Sequence, residues 1–408
     1  MEYRNSFLVA ALLLLFSNSL PSLASPPNAV VAPVYLDTTK YLYTVSLGSG
    51  RNYLLDLGGH SVWSVCRRDR THVTFPCKSQ QCSLAAASSN SGDVSCHGHK
   101  CNIRVQNPIT GRRAWSELTY TESAFKATNG SRAGKSLTFH NVMSSCAPPH
   151  PLMGLPAGSI GCLGLGGSNL DLEFQLTSLA KRFAFCLPLN DSKPGMIFFG
   201  DGPYYILPPG LVEATEYQSS APMVRNPARP DDLFLPVKEL EIVGYDLGKV
   251  SNTSVKGWTR ISTQVPYTTL STPLYKAMLK AFDNITRKIP PAPLVKPFGR
   301  CLNVSAFPRG TPPSLWDFLY IGPVVNLKMD GGDVWEFLNA DNMKQVSHDV
   351  LCLTYLDGGP KPEDDIVIGL YQMKERLMLF DFEAKKIGIS ATNINYIHAY
   401  CGDFLARA

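Results

Sequence analysis

Two distant stretches of this sequence share one spacing, and that repeat restricts the architecture more than any other feature. In the first half "YLLDLGGHSVW" sets a polar residue, Asp56, after three apolar ones and ahead of Gly58 and Gly59, and "GCLGLGG" follows with Gly164. In the second half "WTRISTQVPYTTL" sets Ser262 after Ile261, and "DIVIGLYQM" follows with Gly369. Asp56 and Gly164 lie 108 residues apart, Ser262 and Gly369 107. An apolar run ending in glycine is common at strand ends, but separations matched to within one residue in both halves imply a duplicated lobe.

The segments around the repeat are short, β-branched and aromatic, and are separated by Gly, Pro, Asn and Ser: "KYLYTVSLG", "SLTFHNVM", "KRFAFCLPL", "GMIFFGDG" and "RLMLFDFEAKKIGIS". Such runs predict a mainly β protein. The clearest helix is "STPLYKAMLKAFDNITRKI", with apolar residues at Leu274, Ala277, Met278, Ala281, Phe282 and Ile285. The 408 residues exceed what one hydrophobic core usually serves, which agrees with two lobes.

Residues 1–24 read as a signal peptide. Arg4 gives a positive start, "FLVAALLLLF" is apolar but too short to span a bilayer, and Ser22 and Ala24 are the small residues before a cleavage site, so the mature chain is expected to begin at Ser25. No later run is long and apolar enough to cross a membrane, and the expected product is secreted. Secretion makes bridges the default state of the eleven cysteines. Five sequons, at Asn129, Asn190, Asn252, Asn284 and Asn303, are candidate glycosylation sites. The net charge of +5 is mild and offers no sign of a nucleic-acid partner. The densest basic cluster, Arg67–Arg70, reads as a solvated loop, with contact to an anionic partner as the rival.

The layout resembles the pepsin-like aspartic proteases, whose two β lobes each present an Asp-Thr/Ser-Gly loop and a later apolar-apolar-Gly strand. More closely, "YLLDLGGHSVWSVC", "FPCKSQQCSL", "RFAFCLP", "ISTQVPYTTLSTPLYKAMLKAF" and "IGLYQMKERLMLFDFEAKKIGIS" are similar to the plant branch of basic 7S globulins and TAXI-type xylanase inhibitors, which is non-proteolytic. The resemblance covers essentially the whole mature chain. It implies a bilobal, mainly β fold with a first lobe at 25–215, a second at 216–408 and a cleft between them.

Pepsin-type hydrolysis needs two carboxylates close enough to share a proton, one ionised to activate water and one protonated to polarise the carbonyl. The positions that match the family's dyad here are Asp56 and Ser262, and a serine hydroxyl is neither a useful acid nor a useful base at ordinary pH. Leu57 and Gly59 stand where the proteases carry hydroxyl side chains, and Gln264 stands where they carry glycine. The dyad therefore reads as degenerate and the chain as not an enzyme. Asp56 is expected to be a satisfied polar residue at the lobe interface, the alternative being a relic acid with another partner. Ser262 lacks the G-x-S-x-G turn of a hydrolase nucleophile, and His60, the nearest base in the motif, would have to face it across the cleft.

Six cysteines of the first lobe, Cys66, Cys77, Cys82, Cys96, Cys101 and Cys146, can close three bridges there, and their fifteen pairings stay open. The family resemblance implies that Cys301 and Cys352 close the second lobe and that Cys186 and Cys401 tie the chain end to the first half. Cys162, in the apolar "GCLGLGG", is expected to be a buried free thiol, with an intermolecular bridge as the rival. "CHGHKC" at Cys96–Cys101 holds two thiols and two imidazoles, but the spacings fit no standard zinc pattern. No metal and no cofactor is expected.

The resemblance also implies a function, inhibition of microbial cell-wall glycoside hydrolases such as xylanases and endoglucanases, in plant defence outside the cell. Such enzymes work with paired carboxylates in an open cleft, which a cationic or hydrogen-bonding side chain can plug. In the xylanase-inhibiting members a histidine just before the last cysteine does this. Here the matching residue is His398, three positions before Cys401 and one nearer than in those inhibitors. The alternatives are a basic 7S globulin-like binding or storage protein and, third, an active aspartic endopeptidase.

Overall fold

The repeated spacing folds into the same three-strand arrangement twice. In the first half, strand Asn52–Asp56 runs parallel to Ser159–Gly164 with Asp56 opposite Gly164, and Val62–Val65 lies antiparallel on the other side of that strand. In the second, Thr259–Ile261 runs parallel to Ile366–Ile368 with Ile261 opposite Ile368, and Thr268–Leu270 lies antiparallel beyond it. Each outer pair is joined by the loop that holds Asp56 or Ser262, so the central strand fixes the base of the loop from both sides. The glycine at the end of each central strand, Gly164 as its last residue and Gly369 just beyond it, permits this approach. A Cβ on Gly164 would sit 2.6 Å from the Ser61 carbonyl oxygen, and one on Gly369 2.5 Å from the Tyr267 carbonyl carbon.

A computed structural model of the chain describes residues 27–48, 50–66, 73–89, 92–205, 218–244, 247–305, 322–390 and 400–404. The leader at 1–24, the basic Arg67–Arg70 run, the lobe boundary at 215/216 and His398 lie outside the described residues. Among the described residues, one sheet of fourteen strands runs through the first half and continues into strands near the chain end, and three further sheets of six, four and three strands belong to the second half.

The two halves are joined by main-chain pairing and aromatic packing. Strand Arg182–Cys186 pairs antiparallel with Leu377–Asp381, placing Phe183 opposite Phe380. These rings stack with centroids 4.7 Å apart, and Phe185 and Phe199 pack around them. All four are fully buried. Burying one such side chain is worth about 1.5–3 kcal/mol, and Phe380 is the second-half member of a quartet whose other three rings belong to the first half.

The predicted helix forms at Thr272–Ile285. Pro273 sits in its first turn, where a missing N–H costs nothing, and Leu274, Tyr275, Met278, Ala281 and Phe282 form its buried face. The long run "RLMLFDFEAKKIGIS" divides into two strands, Leu377–Asp381 and Lys386–Ser390, paired antiparallel across a turn in which Lys385 takes φ 54°. Asp381 caps that turn, accepting from Glu383 N and Ala384 N.

Candidate functional site

Asp56 ends its strand almost fully buried, 4% exposed, with its carboxylate turned back over its own loop. Its Oδ1 accepts the Gly58 N–H at 3.0 Å and the Gln264 side-chain amide at 2.9 Å, the second reaching across 208 residues of sequence. Beneath it the two loops are pinned by a further bond, Leu57 N to Thr263 Oγ1 at 3.0 Å. Leu57 has no hydroxyl with which to return that bond. Ser262 is buried and faces its own loop. Its backbone N–H donates to Ile368 O at 3.0 Å and its Oγ accepts from Gln264 N at 3.1 Å.

Gln264 therefore brings an amide, an uncharged donor, to the point where a second carboxylate would be needed to share a proton with Asp56. Burial pushes the Asp56 carboxyl above its ordinary value, and the Gln264 amide, the Gly58 N–H, His60 and Arg260 oppose that rise by favouring the charged form. An amide cannot exchange a proton with it, so the pair can orient a polar group but cannot act as acid and base. The structure gives Gln264 a role that the sequence reading did not, since there it registered only as a replaced glycine.

Around Asp56 a cleft of about 300 Å³ opens between the halves. Its second-half wall is an ion network that sequence reasoning missed. Arg229 forks onto the carboxylate of Asp364, with Nη1 at 3.0 Å, and Arg260 Nε reaches the same carboxylate at 2.8 Å. Asp364 is 2% exposed at its side chain, so these are charge-assisted bonds in poor solvent. Asp232, on strand Arg229–Leu235, stands nearer the cleft, with Arg229 Nη1 at 3.6 Å and Arg260 Nη1 at 3.7 Å. The available signal was the doubled acids, Asp231–Asp232 and Asp364–Asp365, each placed just before an apolar strand run.

The remaining candidates fall as follows. His60 does not stand alone opposite Ser262, because its Nδ1 lies 3.8 Å from Asp231 Oδ2. The cysteines pair as Cys66–Cys146, Cys77–Cys96, Cys82–Cys101, Cys186–Cys401 and Cys301–Cys352, and Cys162 is a buried free thiol. Both thiols of "CHGHKC" are thus in bridges, and its two histidines sit on a hairpin whose turn places Gly98 and His99 at positive φ. Among the described residues no group of three potential metal-binding side chains occurs. Asn129 and Asn190 are exposed in turns, each with its Oδ1 accepting from the serine two residues on, and Asn303 is half-buried with the same contact to Ser305. Asn284 lies in the helix Thr272–Ile285, and Asn252 lies in a strand with its amide on Glu239.

Comparisons with known proteins agree with this geometry along nearly the full chain. A family described as Xylanase inhibitor N-terminal matches residues 41–201, and one described as Xylanase inhibitor C-terminal matches residues 233–391. Basic 7S globulin 2 of Glycine max is 30% identical over 410 residues, which cover 93% of this chain and 90% of that protein. The crystal structure of edgp superposes with a TM-score of 0.82 at 28% identity, covering 93% of this chain and 98% of that one. The aspartic proteinase of Irpex lacteus superposes with a TM-score of 0.50 at 15% identity, over 89% of this chain and 97% of that one, a likeness of fold alone. The chain belongs to the plant family of basic 7S globulins and xylanase-inhibitor proteins, which is built on the bilobal fold of the pepsin-like aspartic proteinases.

Proposed function

We propose that this is a secreted, proteolytically inactive aspartic-protease homologue that inhibits microbial cell-wall glycoside hydrolases, xylanases or endoglucanases, in the plant extracellular space. The observation that carries the reading is the Gln264 amide on Asp56 where an acid–base dyad would need a second carboxylate. With Ser262 in the position of the family's second aspartate, Asp56 has no carboxylate partner at that position, and the rigid, bridged scaffold is suited to binding another macromolecule. The two xylanase-inhibitor family matches, one in each half, support a glycosidase as the partner.

Incubating the mature protein with a panel of microbial xylanases and endoglucanases at mildly acidic pH tests this directly. Loss of one enzyme family's activity at near-stoichiometric protein is the expected result, and an untouched panel would reject it. His398→Ala is expected to abolish inhibition of a sensitive xylanase, since the histidine is the proposed plug for the paired carboxylates of the target. Inhibition unchanged in that variant would remove His398 from the contact.

A binding or storage role of the basic 7S globulin kind is the second reading, favoured by the 30% identity to Basic 7S globulin 2 along nearly the whole chain. It predicts bulk accumulation and no effect on the glycosidase panel. Neither reading allows pepsin-type catalysis: at acid pH the protein is expected to cleave no peptide in a manner blocked by a transition-state peptide.

A further inference from the structure

We propose that Asp171 and Glu173 hold one proton between them and form a pH-sensitive latch on the seam between the halves, closed in mildly acidic solution and strained once that proton leaves. This goes beyond the inhibitor reading and does not depend on it. Both side chains are sealed from solvent, 0% and 1% exposed, and neither lines the cleft. Asp171 Oδ2 accepts the Gly167 and Ser168 N–H groups, each at 2.7 Å. Asp171 Oδ1 and both carboxyl oxygens of Glu173 accept no hydrogen bond among the described residues.

A buried carboxylate without a donor is so costly that the group keeps its proton instead. Two such neighbours ionise together only against each other's charge. Asp171 has two N–H donors and takes the charge; Glu173 has none and takes the proton. Burial raises the Glu173 carboxyl well above its ordinary value and the Asp171 charge adds to the rise, while the nearby N–H of its own backbone and Arg225 oppose it. Burial raises Asp171 as well, opposed by its two N–H donors and reinforced by Asp231 and Asp56.

The pair sits where the second half closes on the first. Arg225, on strand Val224–Asn226, donates through Nη1 to Gly166 O at 2.5 Å and to Pro230 O at 2.8 Å. Its guanidinium thus holds the carbonyl side of the same turn whose N–H groups hold Asp171. Phe382 packs against both, its ring 5.3 Å from that of Phe174 in the helix Leu172–Gln175 and 5.6 Å from the Arg225 guanidinium carbon. Gly167, at φ 94°, makes room for this contact: a Cβ there would run into Arg225 Nη2 and lie 2.6 Å from Phe382.

The charges that act on the pair are Arg225 and Asp231 from the second half and Asp56 from the first, with Lys181 lying over the Phe174 ring at 5.5 Å. Arg225 therefore faces three carboxyls, Asp171, Asp231 and Glu173. While Glu173 is protonated, Arg225 can stay on Gly166 O. Once Glu173 ionises, a second buried charge has no donor, and relief requires either that Arg225 leave the turn or that the helix open to water. Both loosen the seam. Above the ordinary glutamate value only the folded chain still holds the proton, so stability falls as pH rises toward the folded value. Glutamine, uncharged and shaped like the protonated acid, escapes that fall.

Chemical denaturation of the mature parent and of Glu173→Gln at about pH 5 and about pH 8 tests the latch. The variant-to-parent ratio of folding equilibrium constants is expected to be at least tenfold larger at the higher pH. Corrected for intrinsic rates, amide exchange in residues 166–175 is expected to speed up at least tenfold between the two pH values in the parent and less than threefold in the variant. Infrared spectra of the parent at neutral pH are expected to show a protonated-carboxyl C=O band that Glu173→Gln diminishes, and the parent spectrum is decisive even where the variant fails to fold. No such band in the parent, a band undiminished in the variant, an equal ratio at both pH values, or pH-independent exchange in the parent would each overturn the proposal.

Discussion

Arg376→Met is expected to destabilise the folded protein by about 3–5 kcal/mol, the cost of leaving a buried charge without its partner. Arg376 and Asp341 are both fully buried, and one guanidinium nitrogen meets Asp341 Oδ2. A second nitrogen donates to Ser390 O at 2.9 Å, and the guanidinium carbon lies 5.4 Å from the Phe337 ring centre. Asp341 is tied in turn to the short helix Asn339–Asn342, where Oδ2 accepts the Leu338 N–H at 3.1 Å. Removing the arginine leaves that buried carboxylate without its guanidinium, whereas Asp341→Asn combined with Arg376→Met removes both charges. Chemical denaturation checks the prediction: the double variant should lose clearly less than the sum of the single losses. Additive losses would mean that the two side chains act independently.

Next to this pair, Lys374 and Glu375 are expected to give the protein a stability minimum near pH 7. Burial pushes the Glu375 carboxyl up from 4.5 to about 7, opposed by the N–H groups of Cys401 and Leu189 and by Lys374, while Asp403 adds to the rise. Between those pH values the folded protein holds a proton that the unfolded chain has released, so stability falls as pH climbs toward 7. Burial pushes the Lys374 ammonium down from 10.5 to about 7; Lys344 adds to the fall, and Asp341 and Glu375 oppose it. Between about 7 and 10.5 the unfolded chain holds the extra proton, so stability climbs as pH rises. A tenfold change in proton affinity is worth about 1.4 kcal/mol, which makes each arm a matter of a few kcal/mol.

Other buried carboxyls, Asp171 and Glu173 among them, are also raised, so the informative quantity is the difference between variants. Against the parent, Glu375→Gln should remove the decline between about pH 4.5 and 7, and Lys374→Met the recovery above 7, in unfolding midpoints measured from pH 4 to 9. Parallel curves for parent and variants would show that these groups do not titrate as their burial demands. The Glu375 carboxylate also joins distant segments, accepting Leu189 N at 2.7 Å and Cys401 N at 2.8 Å from a residue at φ 50°. A non-glycine residue held in that region is costly and persists only where its surroundings demand it.

Much of the fold could be read from the chain. "KRFAFCLPL" and "GMIFFGDG" became strands Arg182–Cys186 and Gly195–Gly200, because alternating or continuous apolar runs of that length bury themselves best as strands. The helix was legible for the complementary reason, a 3.6-residue apolar period over fourteen residues. The paired loops at Asp56 and Ser262 were legible because duplication leaves a spacing that survives divergence in content. The ion wall of Arg229, Arg260, Asp232 and Asp364 was not, since no local period marks side chains that meet only through one antiparallel and one parallel strand pairing.

The sequence by itself determined the duplicated strand-and-loop layout and the lack of a carboxylate at Ser262, since both are matters of residue identity and spacing. Tertiary structure alone decided how the six first-half cysteines pair, because loop closure permits many bridges and only folded geometry selects among them. It also decided that "KER" at Lys374–Arg376 is interior, 4%, 2% and 0% exposed, where its charge would suggest a solvated face. Gln264 states the division most plainly. Its identity was visible in the chain, but a hydrogen bond to an aspartate 208 residues away exists only once two lobes have packed and excluded the water that would otherwise serve both groups.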